Sequence, residues 1–327
     1  MGHRRGASLI LQQEKEGVSF MSVRQNERVA YHNGKILPES QVLLSFRDRG
    51  FLFGDAVFDT ARTFNHKPFR LKEHVDRLYR SLRYLRVDPG LSPAEMIAVS
   101  EDVLARNLHL IDREDDYWLT QRVSRGQLDI DRRKDAAGEP TVIVECTPLP
   151  LQARAKLFRD GIDVVVPATR RTPPESFSPR AKSHNYLNMI VGDHEAHALN
   201  PESWAVLLDY SGNLAEGLGS NIFVVREGRL LTPAARKVLP GVSRATVIEL
   251  AQGLGIEVAE QDIDLYDAYT ADEVFLTSTS LCLCAVRSVN GTLIGDQPPG
   301  PVTKRLIDAY AKLVGCDFVA QYLRHLA

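Results

Sequence analysis

Apolar positions recur along this chain in two periods. Val75, Leu78, Tyr79, Leu82 and Leu85 return every three or four residues, which places them on one face of a helix over 73–85. Ser92-Pro93 supplies a cap with proline at the first helical position and opens a second helix to about Leu108. Shorter apolar runs at 57–64, 69–71, 117–124 and 140–145 read as strands. Asn33-Gly34, set between Val29-Ala30-Tyr31 and Lys35-Ile36-Leu37, is a two-residue hairpin signal, and His66-Lys67 reads as a turn.

Pro148-Leu149-Pro150 interrupts the pattern as a linker would. Beyond it come strands over 162–168 and 205–209 with a helix over 186–199 between them, then a hairpin around Glu227-Gly228. A helix over 243–254, strands over 273–277 and 282–289, a turn at Asn290-Gly291 into a last short strand, and a final helix over 301–314 complete the chain. This order predicts an α+β fold in two domains: a smaller one over 28–147, a linker over 148–153 and a larger one over 154–327. Residues 1–27 read as a disordered extension, because Met1 to Phe20 is mixed and polar with no apolar run of signal-peptide length and Met21 opens the first segment that reads as a domain.

Composition narrows the class. The 327 residues are 44% hydrophobic and 25% charged with a formal net charge of −2, so no charge excess points to nucleic acid or a membrane surface. No apolar run approaches the roughly 20 residues of a spanning helix. Cys146, Cys282, Cys284 and Cys316 lack zinc spacing; Cys282 and Cys284 read as alternating small apolar residues in a strand, and a reducing cytoplasm is the simplest setting. His194-Glu195-Ala196-His197 has its histidines three apart rather than four, so it reads as an exposed helix face with no metal.

Four stretches of the second half carry chemistry. Lys182 lies between a polar loop and an amphipathic run, four residues before Tyr186; Glu216 sits in a glycine-flanked loop before a strand. Leu239-Pro240-Gly241-Val242-Ser243 leads straight into a helix, whose N-terminus attracts anions. Thr277-Ser278-Thr279-Ser280 ends a buried strand with four hydroxyls. Taken singly, these are a solvated lysine, a turn glutamate, a serine cap, a polar loop and a half-buried tyrosine. Taken together they meet the four demands of pyridoxal phosphate: a lysine for the imine, an acid for the ring nitrogen, a donor for the phenolic oxygen and a nest for the phosphate.

In this order the stretches Arg49-Gly50 to Phe58-Asp59, Glu73 to Leu78, Lys182-Ser183 to Asn188, Glu216-Gly217 to Phe223, Leu239 to Arg244 and Glu273 to Thr279 resemble the class IV (fold-type IV) aminotransferases. That family includes branched-chain, D-amino acid and (R)-selective amine transaminases, with aminodeoxychorismate lyases as relatives. The resemblance covers roughly 28–315. It implies Lys182 as the Schiff-base lysine and, in the two half-reactions of amino transfer, the general base and acid. It implies Glu216 as partner of the pyridinium, Tyr186 as ligand of the phenolic oxygen and Leu239 as the residue packed on the ring. The Val242 and Ser243 N–H groups, the Thr279 hydroxyl and Arg77 become phosphate ligands; helical periodicity by itself makes Arg77 a polar-face residue like Arg80. It further implies amino acid (or primary amine) and 2-oxo acid substrates and a homodimer. A lyase of the same fold would share this cofactor site. A non-catalytic cofactor-binding relative would have little need of Lys182, Glu216 and Tyr186 together.

Substrate choice rests mostly on the first half, where the chain departs from its subtypes. Trp118 and Thr120 stand where branched-chain enzymes carry a tyrosine and an arginine, and Phe58 replaces a tyrosine of the D-amino acid enzymes. Phe58, Trp118 and Ser280 are candidate pocket residues. Arg62, Arg122 and Arg125 are candidate carboxylate ligands, because guanidinium pairs bidentately with carboxylate. Strand alternation puts Arg122 and Arg125 on opposite faces. The 49–58 segment and Arg125-Gly126 lean toward the D-amino acid type.

Overall fold

The computed structural model describes residues 27–128 and 138–326; the extension expected over 1–27 lies outside them except for Glu27. The first half runs β1 (Val29–His32), β2 (Lys35–Pro38), α1 (Arg49–Phe53), β3 (Ala56–Phe64), β4 (Lys67–Pro68), α2 (Leu71–Leu85), α3 (Pro93–Asn107), β5 (Tyr117–Ser124) and β6 (Thr141–Pro148). These strands form one antiparallel sheet in the order β2-β1-β6-β5-β3-β4. Asn33 and Gly34 both take positive φ, as the two-residue hairpin requires. The second turn sits one residue earlier than expected, with Asn65 and His66 at positive φ.

Helices α2 and α3 cover the sheet. Val75, Leu78 and Leu82 of α2 meet Val57, Ala61, Leu119 and Val123 in a shared core. Each such fully buried side chain contributes about 1.5–3 kcal/mol. The buried face of α2 also takes in His74, Arg77 and Ser81, so Arg77 is not the polar-face residue its periodicity suggests, whereas Arg80 is exposed.

The second half adds α4 (Leu151–Asp160), β7 (Ile162–Val165), α5 (Leu187–Leu199), β8 (Trp204–Leu208), β9 (Leu214–Gly217), β10 (Asn221–Arg226), β11 (Arg229–Thr232), α6 (Val242–Gly253), β12 (Val258–Glu260), α7 (Leu265–Tyr269), β13 (Glu273–Thr277), β14 (Cys284–Val289), β15 (Thr292–Leu293), α8 (Pro301–Val314) and α9 (Phe318–Leu323). The strand path β12-β11-β10-β13-β14-β7-β8-β9 turns back on itself, because Glu216 of β9 also pairs with Asn221 of β10. Closure of this kind leaves fewer open edges, and it sets Glu216 in a strand rather than in the expected loop. Cys282 precedes β14 with φ of 58°, so Cys282 and Cys284 do not alternate within one strand. Only Leu149 and Pro150 separate β6 from α4.

Candidate active site

The Lys182 segment has no regular structure of its own. It is fixed by being laid against the first half. The Lys182 N–H donates to Ser81 Oγ of α2 at 3.0 Å, and its carbonyl accepts from Phe58 N of β3 at 3.0 Å. Val57 and Ser183 form an isolated bridge, and His184 N donates to Ala56 O at 2.9 Å. With the backbone so held, Nζ reaches Tyr186 Oη at 3.1 Å and lies 4.6 Å from the centre of the Phe58 ring. Tyr186 is the residue before α5 and its N-cap.

Two spaces meet at this lysine. A cleft of about 80 Å³ is lined by Glu216, Ser220, Asn221 and Leu239. A cavity of about 620 Å³ is walled by Phe58, Trp118, Arg122, Arg154 and Trp204, with Ser278, Thr279 and Ser280. Lys182 and Tyr186, with Leu218 and Gly219, line both.

Glu216 is 4% exposed. Its carboxylate is gripped by two donors, Arg171 Nε on Oε1 at 3.0 Å and Leu239 N on Oε2 at 2.9 Å. The second bond ties Leu239 and Glu216 into one unit. Asn221 adds to it, donating from Nδ2 to Leu239 O at 3.0 Å.

Gly241 is the N-cap of α6 and brings no side chain to cap it. The N–H groups of Val242 and Ser243 therefore have no partner within the helix. A Cβ on Gly241 would stand 2.2 Å from Asn221 Oδ1, so only glycine lets the backbone approach this closely. Ser243 is not the cap; its hydroxyl donates to Ser278 O at 3.0 Å. The Thr279 hydroxyl donates to Thr60 O at 3.1 Å and keeps its lone pairs for other donors.

Arg77 sits under this helix end. Its Nε and Nη2 form a bidentate pair with Asp59 at 2.8 and 2.7 Å, while Nη1 donates to Pro240 O at 3.1 Å. His74 Nδ1 contacts the same carboxylate at 2.7 Å. Burial pushes Asp59 up, but Arg77 and then His74 outweigh it and hold the carboxyl well below the usual carboxylate range. Burial also keeps His74 below the ordinary histidine value.

Two of the arginines named as carboxylate ligands are spent elsewhere. Arg62 is 2% exposed. It donates to Thr63 O, Ser280 O and Gln321 Oε1 at 3.0, 3.0 and 2.8 Å, with Asp116 at 3.7 Å. It pins α9 and the 278–282 turn to β3 and has no free donor face. Arg125 clasps Asp55 from two nitrogens at 2.7 and 3.1 Å and caps α2 through Leu85 O and Arg86 O. That takes away one of the two features, beside the 49–58 segment, on which the D-amino acid lean rested. Arg122 does face the cavity, paired with Glu145 at 3.2 Å and 5.5 Å from the Phe58 ring centre.

Several wall residues were not singled out from the sequence. Arg171 and Arg154 belong to segments without an apolar period to orient them. Asp193 and His197, an i,i+4 pair at 3.4 Å, wall the cavity from α5, so this helix face is not simply exposed. Among the described residues no group of three His, Cys, Asp or Glu side chains could hold a metal ion.

The donor set suits pyridoxal phosphate. The Ser220 hydroxyl, buried without a partner among the described residues, the clamped Glu216 carboxylate, Leu239 and Lys182 border one cleft, and the uncapped end of α6 begins two residues beyond Leu239, at Gly241. The comparisons agree. Residues 56–289 match the family model for amino-transferase class IV. A Methanocaldococcus jannaschii protein, provisionally named a branched-chain-amino-acid aminotransferase, is 38% identical over 86% of this chain and 94% of its own. The Escherichia coli branched-chain-amino-acid aminotransferase is 30% identical over 86% of this chain and 91% of its own. The solved Escherichia coli enzyme superposes with a TM-score of 0.81, covering 88% of this chain and 95% of that one at 30% identity. A solved T.th. branched-chain amino acid aminotransferase with pyridoxamine 5'-phosphate gives 0.79, over 88% and 94% at 28% identity. The chain therefore belongs to the class IV aminotransferases, whose cofactor is pyridoxal phosphate.

Proposed function

We propose that this enzyme moves an amino group between an amino acid with an apolar, branched side chain and a 2-oxo acid, with Lys182 as the reacting residue. The observation that carries the reading is the position of Lys182 Nζ, between the cleft of Glu216 and the aromatic-walled cavity. Phe58, Trp118 and Trp204 favour an apolar side chain, in keeping with the names of the relatives.

In this reading Lys182 holds the cofactor covalently through Nζ. Glu216, oriented by Arg171 and Leu239 N–H, would hold the ring nitrogen protonated. Tyr186 would serve the phenolic oxygen, and Leu239 would pack on the ring. Arg77, the Val242 and Ser243 N–H groups and the Thr279 hydroxyl would hold the phosphate. Pyridoxal phosphate, when bound, supplies an electron sink for the charge left at the substrate α-carbon. Nζ of Lys182 would remove the α-proton as general base and deliver it, as general acid, to the cofactor carbon that carries the nitrogen, so that the amino group changes hands. Tyr186 Oη, 3.1 Å away, steadies that nitrogen.

The unit in solution is proposed to be a homodimer. Leu43, Phe46, Phe51 and Phe53 expose large apolar area around α1, more than scattered surface residues would, and a second copy of this chain would cover it. Four free cysteines fit a reducing compartment such as the cytoplasm. A donor panel tests the substrate class: both enantiomers of leucine, alanine and glutamate, and 1-phenylethylamine, scored for pyridoxamine formation. L-leucine is expected to lead; a clear preference for D-alanine or the amine would overturn the assignment.

A further inference from the structure

Among the described residues, one of the two arginines that line the Lys182 cavity has no acid. Arg154, near the start of α4, lines the cavity. Its guanidinium lies 5.3 Å from the ring centre of Trp118 and 5.4 Å from that of Trp204, and Nη1 donates to the Ser280 hydroxyl. The other arginine lining the cavity, Arg122, is paired with Glu145, and nearby Arg62, Arg77 and Arg171 are paired with Asp116, Asp59 and Glu216. Among the described residues no carboxylate stands within ion-pair distance of Arg154. Burial pulls its pKa below the ordinary arginine value. A largely desolvated cation without a counter-charge is costly, and an arriving anion relieves that cost.

Amino acids and 2-oxo acids each bring such an anion. Resting on the amino-transfer reading above, we infer that Arg154, held in place by Trp118, Trp204 and Ser280, is the anchor for the substrate carboxylate. Its planar fork presents parallel N–H groups to a carboxylate, and the two indoles limit the rotamers it must give up on binding. The sequence puts tryptophans on both sides of this one arginine and nowhere else, since Trp118 and Trp204 are the only two in the chain.

That same fact supplies the probe, because intrinsic indole emission reports on this wall alone. The pyridoxamine phosphate form of the holoenzyme is titrated with 4-methylvalerate, which has the carboxylate but nothing to transfer, and with its neutral amide. The acid is expected to bind roughly 10- to 100-fold more tightly than the amide, as a charge-assisted pair requires. Arg154→Gln should abolish that preference and raise KM for amino acid and oxo acid by a similar factor. Arg154→Lys, which keeps the charge but not the fork, should bind the acid more weakly than the wild type. Equal affinity of the wild type for acid and amide overturns the proposal, as does unchanged acid affinity in both variants. The titration involves no turnover, so it fails separately from the reading of Lys182: activity surviving in Lys182→Ala would sink that reading and leave the acid preference as measured.

Discussion

Asp59 and Arg77 meet as a buried bidentate pair, Nε to Oδ2 at 2.8 Å and Nη2 to Oδ1 at 2.7 Å, and the third guanidinium nitrogen reaches Pro240 O at the head of α6. The pair thus ties the first sheet to the helix end assigned to phosphate. Asp59→Asn leaves Arg77 buried with no acid. The expected cost is about 3–5 kcal/mol, seen as a lower urea midpoint together with weaker retention of the cofactor on dialysis. A variant with the wild-type midpoint would show that the pair holds nothing together.

Glu216 depends on Arg171 in the same way. Glu216→Gln keeps the shape and removes the charge, so the turnover rate should fall by roughly 10²-fold or more with the cofactor still bound. Arg171→Met frees one carboxylate oxygen and should produce a smaller loss and a shifted cofactor absorbance. Single-turnover rates with L-leucine decide it; if Glu216→Gln reacts at the wild-type rate, the ring-nitrogen role belongs elsewhere.

Arg62 and Arg122 should separate cleanly. Arg62→Ala takes away the cation beside buried Asp116, which keeps Thr63, His66 and Gln321 as donors, and removes the donor to Gln321 Oε1; the lost buried pair and the void should destabilise by about 3–5 kcal/mol. Arg122→Ala breaks a half-exposed pair with Glu145 worth about 1 kcal/mol or less, so it should fold normally and show any effect in KM. Thermal melts of the two variants check this; equal melting temperatures would contradict the structural role given to Arg62.

The buried histidines predict acid sensitivity. Burial, and after it the Arg122 charge, pull His184 down to about 4 from an ordinary 6.5, and its Nε2 has no partner among the described residues. A histidine whose folded pKa is depressed contributes stability that is present above about 6.5 and lost as pH falls toward about 4. Asp59, also depressed, keeps its contribution above its unfolded value of 3.8 and loses it only below that. Between pH 6.5 and 4 the wild type should therefore lose on the order of 1–3 kcal/mol more than His184→Phe. Parallel pH profiles for the two proteins would refute the assignment.

Much of this was legible in the chain. The hairpins at Asn33-Gly34 and Glu227-Gly228 are local, because both residues of each turn must take positive φ. The helix at 71–85 follows from its apolar stripe. Helices α1, α4, α7 and α9 have no apolar stripe long enough to read; they are short, and tertiary packing rather than periodicity holds them. The arginines were the hardest to read. Whether one faces a cavity, an acid or a carbonyl depends on partners far away in sequence: Arg62 on Asp116 and Gln321, Arg125 on Asp55. Arg154 stands at the first position after the expected linker, with no pattern to orient it, and only the fold brings Trp118 and Trp204 to it.

The central claim is that Lys182 Nζ is the reacting group, and it is tested most directly by borohydride reduction of the holoenzyme followed by peptide mass analysis, beside single-turnover kinetics of Lys182→Ala. The expected result is a phosphopyridoxyl mass on the peptide containing Lys182 and a rate in the variant lower by about 10²- to 10⁴-fold. A label on any other lysine, or full activity in Lys182→Ala, would contradict it.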